Sequence, residues 1–315
     1  MAALCFLVLL LLPESASAWG PASHVYFASQ ALDTLAALGI PLAEVLVRFR
    51  TSYLFGSVAA DMTIGKSFAR EEMHCHNWSV AFGLLDAAED DAQHAFMWGY
   101  LCHLAADTVA HNYFVPHHLV AHADKRAMAH AYWEIRADVL IPEPYWQRLA
   151  ELRAGDHRPS ERLMADGLVP TLFSHAVNRH LFHGMMRVVC RRRWRRAINR
   201  VAAHNRWPIT PMVLHPYQRA ALTHTVELLR RGRGARCVQE LDPTGHAALA
   251  RAEEACRSRR RKQPGADFAA YVPGHLPLSG VAPGGDATHG YRPASHGSPR
   301  RCHAMEPPST LTAAW

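Results

Sequence analysis

In the stretch HLAADTVAHN, His103, Asp107 and His111 are spaced four and four. At about 100° per residue they cover about 80° of one helix face, so two imidazoles and a carboxylate converge on one interior site. Leu101, Leu104, Ala105, Ala106, Val109 and Ala110 make that helix apolar almost all round. Imidazole and carboxylate groups buried there need partners, and metal coordination satisfies both. The next helical segment repeats the device in HAYWE, where His130 and Glu134 are again four apart. Upstream, MHCHNW offers His74 or His76, AAD offers Asp61, and SHVYF offers His24. So many nitrogen and oxygen donors, with no need for thiolate, suit several zinc ions better than one. The pattern is not HExxH, in which a glutamate lies between two histidines that bind a single zinc.

The start of the chain adds a further donor. The apolar run Met1–Leu12 leads into Ala16-Ser17-Ala18, which places small residues at the −3 and −1 positions that a signal peptidase accepts. The run is too short for an ordinary membrane span and no stop-transfer pattern follows, although no Lys or Arg precedes it. The expectation is a signal peptide over 1–18, cleavage before Trp19, and a secreted or periplasmic product. A buried N-terminal strand or helix is the alternative. Cleavage would give Trp19 a free amino group, a nitrogen ligand alongside His24.

Elements that position these residues follow from periodicity. The sequence predicts helices over 23–38, 42–49, 78–91, 94–114, 123–140, 145–154, 172–190 and 217–230, with YLFGSVAAD running into a loop or helix end at Asp61. Pro116 fits the end of the long apolar helix. Strand-like alternation is scarce, so the fold class is all-α, with polar residues inside where helices converge. The compact helical domain is placed at 19–240. Residues 241–315 read as a low-order Pro/Gly-rich tail, lacking a packed core above all between Gly265 and Arg300.

Composition sets the outer bounds. An apolar fraction of 49% over 315 residues supports one large domain, alone or with an appendage. Lys and Arg outnumber Asp and Glu by 34 to 27, and loss of Glu14 with the leader would raise the net charge of +7 by one. That balance favours anionic surfaces, phosphate-containing substrates or nucleic acid without choosing among them. Beyond Cys5, six cysteines remain in an export context, enough for up to three disulfides of unassigned pairing, and none forms CxxC.

With these residues in view, the sequence resembles the zinc-dependent phospholipase C family, specifically over about 19–140, and more distantly the trinuclear zinc nucleases of the S1/P1 type. The resemblance implies a mainly helical phospholipase C/P1 nuclease-like domain carrying three zinc ions. It also implies an exported precursor cut just before a tryptophan whose amino group and carbonyl oxygen bind zinc. On that pattern Trp19, His24 and Asp107 match the ligands of one ion. Asp61, a histidine of MHCHNW, His103 and Asp107 match a second set, with Asp107 as the bridging ligand. His111, His130 and Glu134 match the third. His76 is favoured over His74 because Asn77-Trp78 follows it. The aspartate matched by Asp61 also has a general-base role in the resembling enzymes. One departure stands out: the secreted phospholipases and S1/P1 enzymes space the next histidine six residues after the bridging aspartate, whereas Asp107 to His111 is four. That spacing keeps the three ligands on one uninterrupted helix and resembles a broader bacterial branch of the family.

The resemblance implies a zinc-dependent phosphodiesterase, in the first place a phospholipase C that hydrolyses glycerophospholipids through zinc-activated water. Its partners would be a phospholipid or other phosphodiester substrate and, transiently, an anionic membrane surface, with no stable protein partner. Phe27, Phe55, Phe68, Trp78, Phe114 and Trp133 are candidates for an apolar entrance, with simple core as the alternative. A nuclease is the rival enzyme, because CRRRWRRAINR at 190–200 interleaves a tryptophan with six arginines. A catalytically inactive, metal-stabilised surface-binding protein is the alternative of another class.

Overall fold

The computed structural model describes residues 19–63, 75–121, 129–168, 173–203 and 209–260, without the side chains of 129–131, 201–203 and 259–260. All regular structure among the described residues is helical. Helices α1 (Pro21–Ala37), α2 (Leu42–Arg48) and α3 (Arg50–Ala59) come first, and a single 3-10 turn, Ala60–Met62, carries Asp61. Helix α4 (Trp78–Asp86) is capped by the Asn77 side chain, which accepts from the Ser79 N–H. Helix α5 (Asp91–Val109) is capped by Asp90, which accepts from the Gln93 N–H at 2.7 Å.

Helix α5 is the centre of the molecule. From Tyr100 to Val109 every residue is buried, as an apolar surface on all sides requires. Helix α3 crosses it at backbone contact. A Cβ placed on Gly56 would lie 1.9 Å from the Phe96 carbonyl oxygen, and one on Gly99 would lie 1.8 Å from that of Tyr53. Only glycine permits this approach. The crossing brings the end of α3, and therefore Asp61, to the part of α5 that carries His103. Helix α1 packs on both α3 and α5, and the buried Tyr53 hydroxyl fastens it by donating to the Ala28 carbonyl at 3.0 Å.

Past Val109 the chain does not stop. Residues Ala110–Phe114 form a π-helical turn that passes directly into α6 (Val115–Ala121). Pro116 therefore does not end the helix; it sits in the first turn of α6, where a missing N–H is tolerated. Then follow α7 (Ala129–Asp138), α8 (Glu143–Ala154), α9 (Arg158–Gly167), α10 (His175–Val189) and α11 (Arg192–Ala203). Helix α12 (Pro211–Arg231) starts earlier than periodicity predicts, with Thr210 as its cap and Pro216 inside it. Helices α13 (Arg236–Glu240) and α14 (His246–Arg260) complete the described chain. A domain end at 240 is thus too early: α14 packs on α6 and the π turn, and the Asn112 side chain donates to the Asp242 carbonyl at 2.8 Å. The segment 261–315 lies outside the described residues.

Candidate metal centre

Four donors from three segments meet at α5, which itself supplies His103 and Asp107. His76 Nε2 lies 3.4 Å from Asp61 Oδ1 and 3.4 Å from Asp107 Oδ2. His103 Nε2 lies 3.7 Å from Asp61 Oδ1, 3.1 Å from Asp107 Oδ2 and 3.0 Å from His76 Nε2. A tetrahedral zinc with bonds of about 2.0–2.1 Å has donor-to-donor edges of about 3.3–3.4 Å. The measured separations bracket that size. The second oxygen of Asp107 turns elsewhere, with Oδ1 at 3.4 Å from His24 Nε2. One carboxylate thus offers Oδ2 to the four-donor set and Oδ1 to a histidine on α1.

Neighbouring groups orient these donors. His103 Nδ1 is 3.0 Å from the Ser57 carbonyl, which only accepts, so Nδ1 carries the proton and Nε2 keeps its lone pair for the centre. His76 stands in the turn before α4, its Nδ1 3.3 Å from Cys75 Sγ, and the buried Tyr100 hydroxyl donates to the Cys75 carbonyl. The His24 ring stacks on that of His103 with centroids 3.8 Å apart.

Electrostatics favour a cation here. Burial, and secondarily the neighbouring His103, push the His24 pKa down to about 3 despite the pull of Asp107, so the imidazole is neutral. For Asp107, burial acts to raise the pKa, but His103 and His24 outweigh it and hold the carboxyl well below its ordinary range. An ionised carboxylate fully buried among imidazoles is expensive without a positive charge. Neither oxygen of Asp107 and neither ring nitrogen of His24 makes an aligned hydrogen bond among the described residues. Lone pairs converging at ligand spacing, in the protonation states that metal binding needs, fit zinc. Two three-residue groups meet this description, His24–Asp61–His103 and His76–His103–Asp107.

The other sequence-derived candidates fall differently. Trp19 is completely buried; its indole donates to the Ala106 carbonyl at 3.0 Å and stacks on Phe114, so its backbone lies close to the helix carrying Asp107. His74 lies outside the described residues, as does the side chain of His130. Glu134 is buried on α7. His111 is buried but belongs to the π turn, and its Nδ1 bonds to the Pro243 carbonyl. Four-residue spacing therefore does not keep His103, Asp107 and His111 on one uninterrupted α-helix, because the i to i+5 bonding re-aims the last of them. Among the described residues it belongs to neither of the two groups.

Further expectations are corrected by burial. Phe27, Phe55, Phe114 and Trp133 are at most 2% exposed and belong to the core rather than to an entrance. Trp78 is half-buried, with its indole donating to the Leu241 carbonyl, and Phe68 lies outside the described residues. Within 190–200, Arg192 and Arg195 of α11 pair with Glu143 at the start of α8, and Arg195 lies over the Trp146 ring. No disulfide joins the described cysteines.

Sequence reading does not single out Asp138. It is buried at the end of α7, with Oδ1 accepting from the Ser23 N–H at 2.7 Å and the Ser23 hydroxyl at 2.9 Å. The Ala22 N–H approaches Oδ2 at 3.4 Å. Burial pushes its pKa up to about 6, against these donors. Ser23 immediately precedes His24, so Asp138 holds the first turn of the helix that delivers that imidazole. Sequence gives no local signal for this contact, which joins residues 115 positions apart.

A helical body with a buried cluster of histidine and aspartate donors is a metal-binding architecture, and its family match makes it a zinc-dependent phosphodiesterase. Residues 23–178 match the model of the family described as zinc dependent phospholipase C, and the chain belongs to that family. No curated protein and no solved structure matches the chain.

Proposed function

We propose that this zinc-dependent phosphodiesterase is an exported phospholipase C that cleaves glycerophospholipids to diacylglycerol and a phosphorylated head group. The observation that carries the reading is the divided carboxylate of Asp107, with one oxygen toward His76 and His103 and the other toward His24, in a chain of this family. Zinc bound at these donors supplies Lewis-acid charge for the phosphodiester and acidifies the attacking water. Asp107 fixes the separation of the two donor groups. His24, His76 and His103 contribute imidazole nitrogens to these groups. Asp61 is the one carboxylate of the cluster with solvent exposure, at 12%. An oxygen there can take the proton of water attacking phosphorus while the bond from phosphorus to the glycerol oxygen breaks.

His111, His130 and Glu134 are proposed as ligands of a third ion, and Trp19 as a terminal ligand after removal of 1–18. Burial of Trp19 beside Ala106 supports a mature chain that begins there. No described helix is long and apolar enough to cross a membrane, which suits transient contact with a lipid surface. The test is a paired assay on phosphatidylcholine vesicles and single-stranded DNA, using protein with a verified N-terminus. Zinc-dependent release of diacylglycerol is expected; cleavage of the nucleic acid alone overturns the substrate assignment.

A further inference from the structure

The first turn of α1 is held from outside the helix. The Ala22 N–H has no partner within the helix, and the Ser23 N–H has only the Gly20 carbonyl there, at 3.0 Å. The residue before it, Gly20, has no side chain with which to cap them. The carboxylate of Asp138 does so from α7, reinforced by the Ser23 hydroxyl. The fit leaves no slack, since a Cβ on Gly20 would lie 2.3 Å from Asp138 Cγ. Gly20 has φ −70°, a conformation open to any residue, so closeness to Asp138 rather than backbone freedom is what calls for glycine.

Two functional segments flank this contact. Trp19 and His24 stand on either side of it in the chain, and Glu134 stands one turn before Asp138 on α7. Helical residues four apart share a face, so α7 presents Glu134 and Asp138 to the same side. Helix α7 therefore ties the N-terminal segment to the helix that carries the other candidate acidic ligand.

We propose that Asp138 is a positioning residue of the zinc centre, acting through the Gly20–Ser23 turn to set His24 against Asp107. This rests on the zinc reading above. Asp138 does not itself contact the donor set, so its effect falls on the groups that His24 joins, with Asp107 Oδ1 and with Asp61 and His103, and least on His76–His103–Asp107.

The test measures metal binding rather than turnover. Zinc affinity is read by competition with a chromophoric chelator, and the visible spectrum of the cobalt-substituted protein reports the donor sets separately. Asp138→Ala is expected to weaken the His24-side ion by about 10- to 100-fold, the usual range for loss of a group that orients a ligand. Asp138→Asn, which keeps one acceptor oxygen for Ser23, is expected to recover most of that loss. Gly20→Ala, which leaves the carboxylate in place but forces it aside, should reproduce the alanine phenotype. Ser23→Ala removes one hydroxyl donor and serves as the mild variant should the others fail to fold; a several-fold loss confined to the same ion is expected. Asp107→Ala is the control, and it should abolish both signals.

Wild-type affinity for both ions in the folded Asp138 and Gly20 variants, or in Ser23→Ala where only that variant folds, overturns the positioning role. Equal weakening of both ions also overturns it, because Asp138 would then be a general scaffold residue. Full metal content in Asp107→Ala overturns the zinc reading itself, whatever the Asp138 variants show.

Discussion

Two consecutive stretches of one long helical segment treat their histidines in opposite ways. In the regular part of α5, His103 and Asp107 are stacked one turn apart, and Ser57 fixes the imidazole tautomer. Immediately afterwards the π turn aims His111 Nδ1 at the Pro243 carbonyl, 132 residues on in the chain. The same four-residue interval thus joins His103 and Asp107 in one donor group and leaves His111 outside it among the described residues. A spacing argument is only as good as the helix type beneath it.

Removing Asp107 breaks the comparison at its strongest point. Asp107→Ala should eliminate the zinc held at its two oxygens, and phosphodiesterase activity should fall by about 10³-fold or more, the rate equivalent of losing several kcal/mol of charge stabilisation. Metal analysis and initial rates check this. Next in size is the crossing of α3 with α5. Gly99→Ala drives a methyl group into the Tyr53 carbonyl and should lower unfolding free energy by about 1–3 kcal/mol or more, as overpacking does. Gly83→Ala on α4, where an added Cβ meets nothing within 4 Å, is the matched control and should leave stability equal or slightly higher in denaturant titration.

His111→Ala tests the other side of the comparison. If the π turn serves a separate ion, the variant should lose that ion and about tenfold in rate while retaining the His76–His103–Asp107 signal in the cobalt spectrum. Simultaneous loss of every ion would show that the two stretches act as one unit. The smallest effect concerns pH. Burial lowers the pKa of His224, whose Nδ1 lies 2.8 Å from the Thr108 hydroxyl, to about 4. The unfolded chain therefore binds the extra proton first, and stability present above about pH 6.5 declines as pH falls toward 4. Thermal unfolding of chelated protein should show this acid limb, and His224→Gln should flatten it.

Much of the site was legible because its signals are local. The pair His103 and Asp107 within an apolar helix, the histidine before Asn77-Trp78, and the all-helical periodicity all describe short stretches, and the structure brings His24, Asp61, His76, His103 and Asp107 together. What escaped depends on distance or on backbone detail. Nothing in AHNYF announces a π turn, and Pro116 reads as a stop unless the preceding widening is known. Helix α14 was hidden beside the Pro/Gly-rich sequence that follows it. Asp138 carries no local signal because its Ser23 partner lies 115 positions away in the chain.

The reciprocal glycine crossing between α3 and α5 has a bearing on how the centre becomes loaded. The approach of Gly56 to Phe96 and of Gly99 to Tyr53 is steric and needs no ion to maintain it. Asp61 and His103 consequently stand in register before any metal arrives. Acquisition becomes capture by a finished cage rather than folding around an ion, and a chelator should strip the centre without melting the helices, leaving a protein ready to be refilled.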